Sequence, residues 1–347
     1  MEPDTHEKVL FLGSRAAHPG TSGPIEMIET HMSWVVLAGD RALKLKKPMR
    51  TAWCDFSTLK ARELNAREEV RLNRRLAPDV YLGLLALQWT NGHFAFAPDA
   101  EAMLGGHTVD WLVLMRRLPA ERMLDRMIAA GTVTSSHIDA LIQVLARFYQ
   151  ETPRATLSAD DYVAHFASEQ VLNRDVLLRP DFELTGAMAT LDAFDQAIAE
   201  HAQSLRERVL QGRLLDGHGD LRPEHVCLLP RPVIIDALEF NASLRQVDPL
   251  DELVFLGLEC ELAGAPWITA HLLSRYGAAL NDPAPAALVR FYTASRALLR
   301  ARLCAAHLID PATCIPSKWL PRAQHYLDRT HQALQHPLSV AMPHGSA

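Results

Sequence analysis

The strongest constraint on the fold of this chain is a stretch past its middle, residues 217–240, in which charged groups surround two short apolar runs. The stretch begins Gly-His-Gly-Asp-Leu-Arg-Pro-Glu-His, and the runs Val226–Leu229 and Val233–Ile235 follow, separated by Pro-Arg-Pro. Apolar strand-forming residues on both sides of a proline-marked turn predict a tight antiparallel hairpin.

The register of this hairpin decides which side chains meet at its open end. With Arg231 at the tip, Val226 would lie opposite Asp236, because paired residues are equally far from the turn. Acids near turns are common on protein surfaces, but charged groups at the ends of apolar strands lie where a rigid scaffold carries chemistry. We therefore predict a site that holds a cation and accepts a proton. Its side chains are those of Asp220, His225, Asp236 and Glu239.

Composition excludes several classes of function. The chain has 347 residues, 48% of them hydrophobic and 22% charged, which is enough for a large core and for two domains or lobes. Its net charge of −6 argues against a nucleic-acid partner. The N-terminus lacks the apolar segment of a signal peptide, and no apolar run is as long as a membrane span. We therefore expect a cytoplasmic protein without a membrane partner.

The cysteines agree with that location. They are odd in number and scattered, and they form no C-x-x-C pair. Such a set favours free thiols in a reducing compartment over a disulfide framework or a zinc cluster. The five positions are Cys54, Cys227, Cys260, Cys304 and Cys314.

The first 117 residues predict a small sheet and one long helix. Gly39-Asp40 marks a hairpin turn, and the helix is predicted over Phe56–Leu76 with Ser57 as its cap. Six segments have the composition of strands: Ile25–Ile28, Trp34–Leu37, Arg41–Lys47, Tyr81–Leu87, Phe94–Pro98 and Trp111–Met115.

Helical patterning dominates the rest of the chain. Ser135 or Ser136 is expected to cap the second of these helices. Arg296 and Arg300, one turn apart in the last, could grip an anion, pair with Glu259 or simply line a solvated face, which is the favoured interpretation. The predicted helices are Met123–Ala130, His137–Tyr149, Ala187–Gln211, Asp251–Ala263, Trp267–Tyr276 and Ala286–Leu308.

Three features together resemble one family. His-Gly-Asp at 218–220, an acid after the second apolar strand and the acidic segment 247–253 resemble the catalytic segment of aminoglycoside phosphotransferase-like kinases, and most closely a bacterial branch of predicted kinases. The resemblance implies a protein-kinase-like α+β fold with two lobes and ATP bound between them. We expect a small antiparallel-sheet N-lobe at 1–117 and a mostly helical C-lobe at 118–347, with a loose tail from about residue 336.

The resemblance also implies that a strand lysine reaches the phosphates of ATP. Ala42 lies two positions before Lys44, as the small adenine-facing residue does in kinases, so Lys44 is favoured and Lys46 is the alternative. Lysines on a strand can equally protect a sheet edge. An acid of the long helix should pair with the lysine. Glu69 is favoured over Glu68 because it shares a helix face with the apolar residue seven positions later.

Other nucleotide contacts are less clearly marked. The connection between the first two strands has no glycine-rich loop, although Thr30 and Ser33 within it can donate hydrogen bonds to phosphate. No G-x-x-x-x-G-K-[ST] motif is present, which argues against a P-loop enzyme. The segment from Met115 to Arg117 stands where the family's interlobe connection binds adenine through its backbone.

The resemblance assigns roles within the central stretch. Asp220 would accept or orient the proton of the attacking hydroxyl, and Asp236 would hold Mg²⁺. His218 is expected to order the loop rather than act as a base. Arg222 either steadies the γ-phosphate or is a solvated loop arginine. Asp251, in the later acidic segment, is interpreted as a structural acid that orders the catalytic loop.

One residue departs from the family pattern. His225 stands where related kinases carry an Asn that binds a second magnesium ion, although Mg²⁺ prefers oxygen ligands over imidazole. Either a single metal is bound tightly, or Glu224 or Glu239 supplies the missing oxygen, or activity is low.

The sequence thus predicts an ATP- and Mg²⁺-dependent kinase that phosphorylates a hydroxyl group of a small molecule. A non-catalytic nucleotide-binding module is the first alternative, because of His225 and the missing glycine loop. A metal-dependent phosphoester hydrolase is a weaker one.

Overall fold

The structure is a computed structural model, and it describes residues 2–51, 54–102, 106–309 and 314–335. Residue contacts divide the chain into two units, each made of two separate runs of sequence. The first unit is Met1–Met127 with Glu224–Arg245, and the second is Ile128–Pro223 with Gln246–Ala347. The segment that carries Asp236 therefore folds with the first unit. A lobe boundary after Arg117 stays a prediction, and the predicted loose tail lies outside the described residues.

A six-stranded antiparallel sheet organises the first unit, with the strand order β1-β2-β3-β6-β4-β5. All six predicted strands are present, and Gly39-Asp40 forms the tight turn between β2 and β3, as predicted. The strands are β1 (Ile25–Glu29), β2 (Ser33–Ala38), β3 (Arg41–Lys46), β4 (Tyr81–Thr90), β5 (His93–Pro98) and β6 (His107–Arg116).

Strand β3 lies inside the sheet and divides its residues between two cores. It pairs with β2 on one side and with β6 on the other. Leu43 and Leu45 pack into one hydrophobic cluster, whereas Ala42 belongs to a cluster on the opposite face. Because side chains alternate along a strand, Lys44 and Lys46 share the face of Ala42. The strand therefore directs two lysines into a largely apolar layer.

Helices α1 (Thr5–Leu12) and α2 (Leu59–Asn73) complete this unit, and its boundary at Met127 falls within the short α3 (Leu124–Ala129). Helix α1 was not predicted, although Asp4 and Glu7 form a capping box that marks its start. The cap predicted for α2 was wrong. Thr58 caps it by accepting a hydrogen bond from Ala61 N, because the Ser57 hydroxyl is bonded to Asp55.

The hairpin past the middle of the chain is present, but its predicted register was wrong. Strands β8 (Val226–Cys227) and β9 (Val233–Ile234) pair Val226 with Ile234, not with Asp236, so the turn centres on Pro230. The first strand ends early because Leu228 N donates to a carbonyl outside the hairpin. This register buries Val226 and Ile234 completely.

The second unit is mostly helical, with a short strand pair, β7 (Leu215–Asp216) with β10 (Gln246–Val247). Helix α4 starts after Thr134, so a cap at Ser135 or Ser136 was a wrong prediction. Helix α10 was not predicted, because Pro321 in its interior is a helix-breaking signal. The described residues of this unit form α4 (Ser135–Glu151), α5 (Ala159–Leu177), α6 (Ala187–Leu210), α7 (Pro249–Leu262), α8 (Trp267–Leu280), α9 (Ala286–Ala306) and α10 (Pro316–Gln335).

An aromatic cluster forms the centre of the second unit. The ring of Phe291 lies edge-on to that of Phe166, with centroids 4.9 Å apart, and stacks on Phe194 at 5.5 Å. These side chains join α5, α6 and α9 into one core. With the sheet of the first unit, this helical core confirms the predicted α+β class. No helix in the described part of the chain has the length and apolar character needed to cross a bilayer.

A buried acid ties the N-terminal helix to the sheet. Asp110 on β6 is almost fully buried, and its carboxylate accepts hydrogen bonds from Lys8 of α1 at 2.9 Å and from Arg62 of α2 at 2.8 and 3.0 Å. Lys8 also donates to the Val109 carbonyl at 2.8 Å. One carboxylate thus compensates two buried cations.

Asp110→Asn should lower the free energy of unfolding by about 3–5 kcal/mol, because Lys8 and Arg62 would keep their charges in a buried site without an anion. Asp99→Asn is the matched control. It removes an exposed acid that pairs with Arg67 at 2.6 Å, and exposed pairs contribute less than about 1 kcal/mol. Urea unfolding of both variants measures the difference, and equal losses would contradict this assignment.

Candidate active site

A buried carboxylate of α2 bridges the two lysines of β3. Glu69 Oε1 lies 2.9 Å from Lys44 Nζ, and Glu69 Oε2 lies 2.6 Å from Lys46 Nζ. The Glu69 side chain is fully buried. The structure therefore contains the lysine–glutamate pair that the resemblance implied. The alternative acid, Glu68, is on another side of the helix and pairs with Arg71 at 2.7 Å.

The lysines also contact two acids of the segment that follows the hairpin. Lys44 Nζ lies 2.7 Å from Asp236 Oδ1, and Lys46 Nζ is hydrogen-bonded to Glu239 Oε1. Five charges of alternating sign thus form one chain, which we call the charge relay: Asp236, Lys44, Glu69, Lys46 and Glu239.

Electrostatics favour ionised groups at the Lys44 end of the relay. Burial opposes ionisation of Asp236, but Lys44 and His225 outweigh it and hold the pKa of this carboxyl well below its usual range. The same balance, with burial against two lysines, lowers the pKa of Glu69. At the other end, burial and the nearby Glu69 charge raise the pKa of Glu239. Only Asp236 is substantially exposed, at 44% of its side chain.

The backbone at Asp236 adopts a conformation that is costly for a residue with a side chain. Its φ is +63°, in the left-handed region, which costs on the order of 1–3 kcal/mol outside glycine. Two side chains hold the segment in place. Asp236 N donates to Tyr81 Oη at 3.2 Å, and Ala237 N donates to Asn73 Oδ1 at 2.9 Å. Asn73 in turn donates to the carbonyl of Glu69, one turn earlier in α2.

The three predicted metal ligands are not gathered around one point. His225 Nε2 lies 3.6 Å from Asp236 Oδ2, whereas Glu239 is bonded to Lys46. Among the residues that the structure describes, no three His, Cys, Asp or Glu side chains are grouped as a metal site. Asp236 offers the hard oxygen that Mg²⁺ prefers, and the imidazole of His225 does not. Of the three side chains, Asp236 is therefore the one whose chemistry suits magnesium, and metal binding by any of them stays a prediction.

The other residues assigned to the nucleotide are spread over the first unit. Thr30 Oγ1 accepts a hydrogen bond from Ser33 N at 2.9 Å within the β1–β2 turn, so this hydroxyl already has a partner there. Met115 lies in β6 and is buried. Arg117 pairs with Glu26 at 2.8 Å. Nucleotide contacts by these residues stay predictions.

An acid of α7 orders the loop around Asp220 in the second unit. Glu252 Oε1 accepts hydrogen bonds from His218 N at 2.7 Å and from Gly219 N at 2.6 Å. His218 is fully buried, and its Nδ1 lies 3.3 Å from Asp220 N. Arg222 pairs with Asp220 at 2.9 Å. The His218 ring thus accepts a hydrogen bond within the loop, and Arg222 is a partner of Asp220 rather than a solvated arginine. The functional roles of both residues stay predictions.

Two predictions about residues of α7 and α9 were wrong. Asp251 does not order the loop, because it forms a bidentate pair with Arg296 at 2.6 and 2.8 Å. Arg296 is mostly buried and so does not line a solvated face. Arg300 does pair with Glu259, at 3.0 Å, which was one of the alternatives, and Tyr326 donates to the same carboxylate.

We compared the sequence and the fold of the chain with those of known proteins. No family model matches the chain. The uncharacterized protein Rv2004c of Mycobacterium tuberculosis (strain ATCC 25618 / H37Rv) is 33% identical over 307 residues, which cover 84% of this chain and 57% of that protein. The chain therefore spans little more than half the length of this relative.

Two solved structures have a fold similar to that of this chain. A choline/ethanolamine kinase family protein from Mesorhizobium loti superposes with a TM-score of 0.53 at 17% identity, covering 96% of this chain and 95% of that one. A glucosamine kinase superposes with a TM-score of 0.50 at 16% identity, covering 90% and 76%. Aminoglycoside phosphotransferases also match, at lower TM-scores.

The chain has the kinase-like α+β fold of the choline/ethanolamine kinase family protein and the glucosamine kinase. The resemblance inferred from the central stretch is thus confirmed.

Within this kinase-like fold, the sequence analysis missed three residues that shape the site. Glu252 directly follows Asp251 in the sequence. The hydrogen bonds from His218 N and Gly219 N identify Glu252 as the acid that contacts the loop. Asn73 lies one turn after Glu69 on α2, a spacing that places both on one helix face. Tyr81 gave no signal beyond its position in a strand.

Gly217→Ala should lower the free energy of unfolding by about 1–3 kcal/mol, because the added methyl group would lie 2.6 Å from Val247 Cγ2 and 2.7 Å from Glu252 Oε1. Gly277→Ala is the matched control, since its methyl group would have no contact closer than 3.5 Å. As a helix residue, Gly277 should gain stability on substitution. Urea unfolding measures both, and a neutral Gly217→Ala would contradict the close packing of this loop.

Proposed function

We propose that the chain is an ATP-dependent phosphotransferase that moves the γ-phosphate of ATP to a hydroxyl group of a small molecule. The supporting observation is Lys44 placed between Glu69 of the helix and Asp236 of the segment after the hairpin, in a protein-kinase-like fold. Positioned cations and carboxylates are what phosphoryl transfer requires, because its catalysis is mainly positioning and charge stabilisation. Two structures of similar fold are named as small-molecule kinases.

Lys44 is the better candidate for the phosphate contact. Its side chain keeps 13% of its surface exposed, whereas that of Lys46 keeps 2% and lies between two acids. Glu69 holds the Lys44 ammonium group in place, so little side-chain entropy is lost when an anion binds. Burial lowers the pKa of Lys44, but Asp236 and Glu69 outweigh it and raise the pKa well above the usual value. The group therefore stays cationic.

Asp236 is the residue that would hold magnesium. Glu239 would not, because it is already paired with Lys46. Bound Mg²⁺ would neutralise charge on the phosphate oxygens. Asp220 would orient the acceptor hydroxyl and take its proton, with His218 and Glu252 fixing the loop that carries it. Arg222 pairs with Asp220 at 2.9 Å and would keep this carboxylate aligned.

A non-catalytic nucleotide-binding module is the second candidate, and His225 favours it. An imidazole beside Asp236 is a poor ligand for a second magnesium ion, and a chain that binds ATP with one weakly held metal can lack turnover. A metal-dependent hydrolase has less support, because the described residues contain no cluster of three metal-ligating side chains.

Purified protein should consume ATP in the presence of Mg²⁺ and a suitable hydroxyl compound. We expect Asp220→Asn to lower kcat by about 10²–10⁴-fold with nucleotide binding retained, because it removes the proton acceptor. Lys44→Met should lower kcat/KM for ATP by about 10²-fold or more, because it removes a charge from the phosphate site. A coupled ADP assay over a panel of sugars, amino alcohols and amino sugars measures turnover.

Asp181→Asn is the control for Asp220→Asn, since Asp181 is an exposed acid paired only loosely with Arg179, at 3.3 Å. Turnover that survives Asp220→Asn would contradict the proposed mechanism. Thermal stabilisation by ATP without turnover across the panel would support the non-catalytic module instead. Ester cleavage without ATP would indicate a hydrolase.

A further inference from the structure

Two members of the charge relay, Lys46 and Glu239, have no role in the proposed reaction. Lys44 needs one carboxylate to hold it, and Glu69 supplies this through Oε1 alone. Yet Glu69 Oε2 is paired with a second lysine, Lys46, which is paired in turn with Glu239. Lys46 also lies over the ring of Phe56, at 5.5 Å from its centroid. The side chains of Glu69, Lys46 and Glu239 are each at least nine-tenths buried.

Stability alone does not explain such a pair. Removing two charges from water costs several kcal/mol, and a well-packed apolar pair of similar volume is often as stable. A buried ion pair does specify which groups must meet, because any other arrangement leaves a buried charge without a partner. Glu239 lies three residues after Asp236, so its pairing with Lys46 specifies where the segment that carries Asp236 lies.

The segment from Asp236 to Glu239 is attached to the first unit at four successive points. Asp236 bonds Lys44 through its side chain and Tyr81 through its backbone, Ala237 bonds Asn73, and Glu239 bonds Lys46. The first of these residues has the costly left-handed backbone. Strain of this kind persists only where the surroundings determine the conformation. The Lys46–Glu239 pair is the attachment that closes the segment at its far end.

We propose that Lys46 and Glu239 are positioning residues that fix the Asp236 carboxylate by anchoring the segment behind it to β3 and α2. This inference rests on the proposed function, in which Asp236 holds magnesium. It assigns Glu239 to Lys46 rather than to the metal, and it assigns Lys46 to the two acids rather than to phosphate. Glu69, with one oxygen for each lysine, couples the anchor to the phosphate lysine.

A double-variant cycle tests the anchor. Lys46→Met leaves Glu69 and Glu239 buried with Lys44 as their counter-charge. Glu239→Met removes one of the two carboxylates that pair with Lys46 and leaves Glu69. The double variant removes one charge of each sign, so the net charge of the relay is unchanged and Glu69 keeps Lys44. Each single variant should therefore disturb the segment more than the double variant does.

Amide hydrogen exchange in peptides covering residues 233–241 gives the first measurement. Each single variant should speed exchange at Asp236 and Ala237 by about tenfold or more, because the loss of a buried pair lowers the local opening free energy. The double variant should restore most of the protection. Lys47→Met is the matched control at the next position, since Lys47 pairs with the exposed Glu29. It should leave exchange in this segment unchanged.

Steady-state kinetics give the second measurement, which separates positioning from a merely structural role. The single variants should raise the Mg²⁺ concentration for half-maximal rate and the KM for ATP by about tenfold, with partial recovery in the double variant. A merely structural pair would lower Tm but leave both constants of the folded enzyme unchanged, which would overturn the inference. A double variant as defective towards Mg²⁺ as Glu239→Met would also overturn it, because Glu239 would then be a metal ligand.

The exchange cycle decides the anchor even without turnover. If the unaltered chain neither binds nor consumes ATP, the proposed function fails, and restored protection in the double variant still supports the anchor. If the chain is active and exchange losses in the single variants simply add in the double variant, the anchor fails and the proposed function stands.

Discussion

The buried carboxylate of Glu69 is the interaction on which the site depends. It is the only acid of the relay that contacts both lysines, and it reaches them because β3 points Lys44 and Lys46 to the face where α2 packs. Without it, two ammonium groups would be buried on adjacent positions of one strand face, which burial and mutual repulsion both oppose. The helix, the strand and the segment after the hairpin are therefore mutually required in this arrangement.

This requirement explains why a distant piece of sequence folds with the N-terminal sheet. Residues 224–245 belong to the first unit, and Asp236 and Glu239 bind the lysines of β3 that lie 192 and 193 positions earlier. Apolar contacts contribute as well, since Val233 and Ile235 pack on the cluster that includes Ala42. Hydrophobic contacts bring the segment to the sheet without directional preference. The ion pairs and the hydrogen bonds that Asp236 N and Ala237 N donate to Tyr81 and Asn73 determine its position.

Sequence reasoning found the strands of the sheet, most of the helices and the lysines and acid that meet in the first unit. It did not find the details that depend on geometry. Strand alternation placed both lysines on one face, and helix periodicity favoured Glu69, because each rests on a local period. The hairpin register was missed because it depends on Leu228 bonding outside the hairpin. The role predicted for Asp251 was wrong for a similar reason, since adjacent helix positions differ by about 100° in direction and no local pattern shows that Glu252 is the residue that meets the loop. Helix α10 was concealed by its internal proline.

His225 in place of the asparagine of related kinases and the pairing of Glu239 with Lys46 have the same consequence for metal binding. A site with one exposed carboxylate and an imidazole 3.6 Å from it has fewer hard oxygens than a two-magnesium centre needs. The second acid of the segment is occupied by Lys46, and its pKa is raised, chiefly by burial, so it is a poorer anion than Asp236. In the proposed reaction, magnesium would therefore depend on a single carboxylate, whose ionisation Lys44 favours. In such a site the placement of that one carboxylate matters more than the number of acids nearby, and every described attachment of the segment acts on its placement.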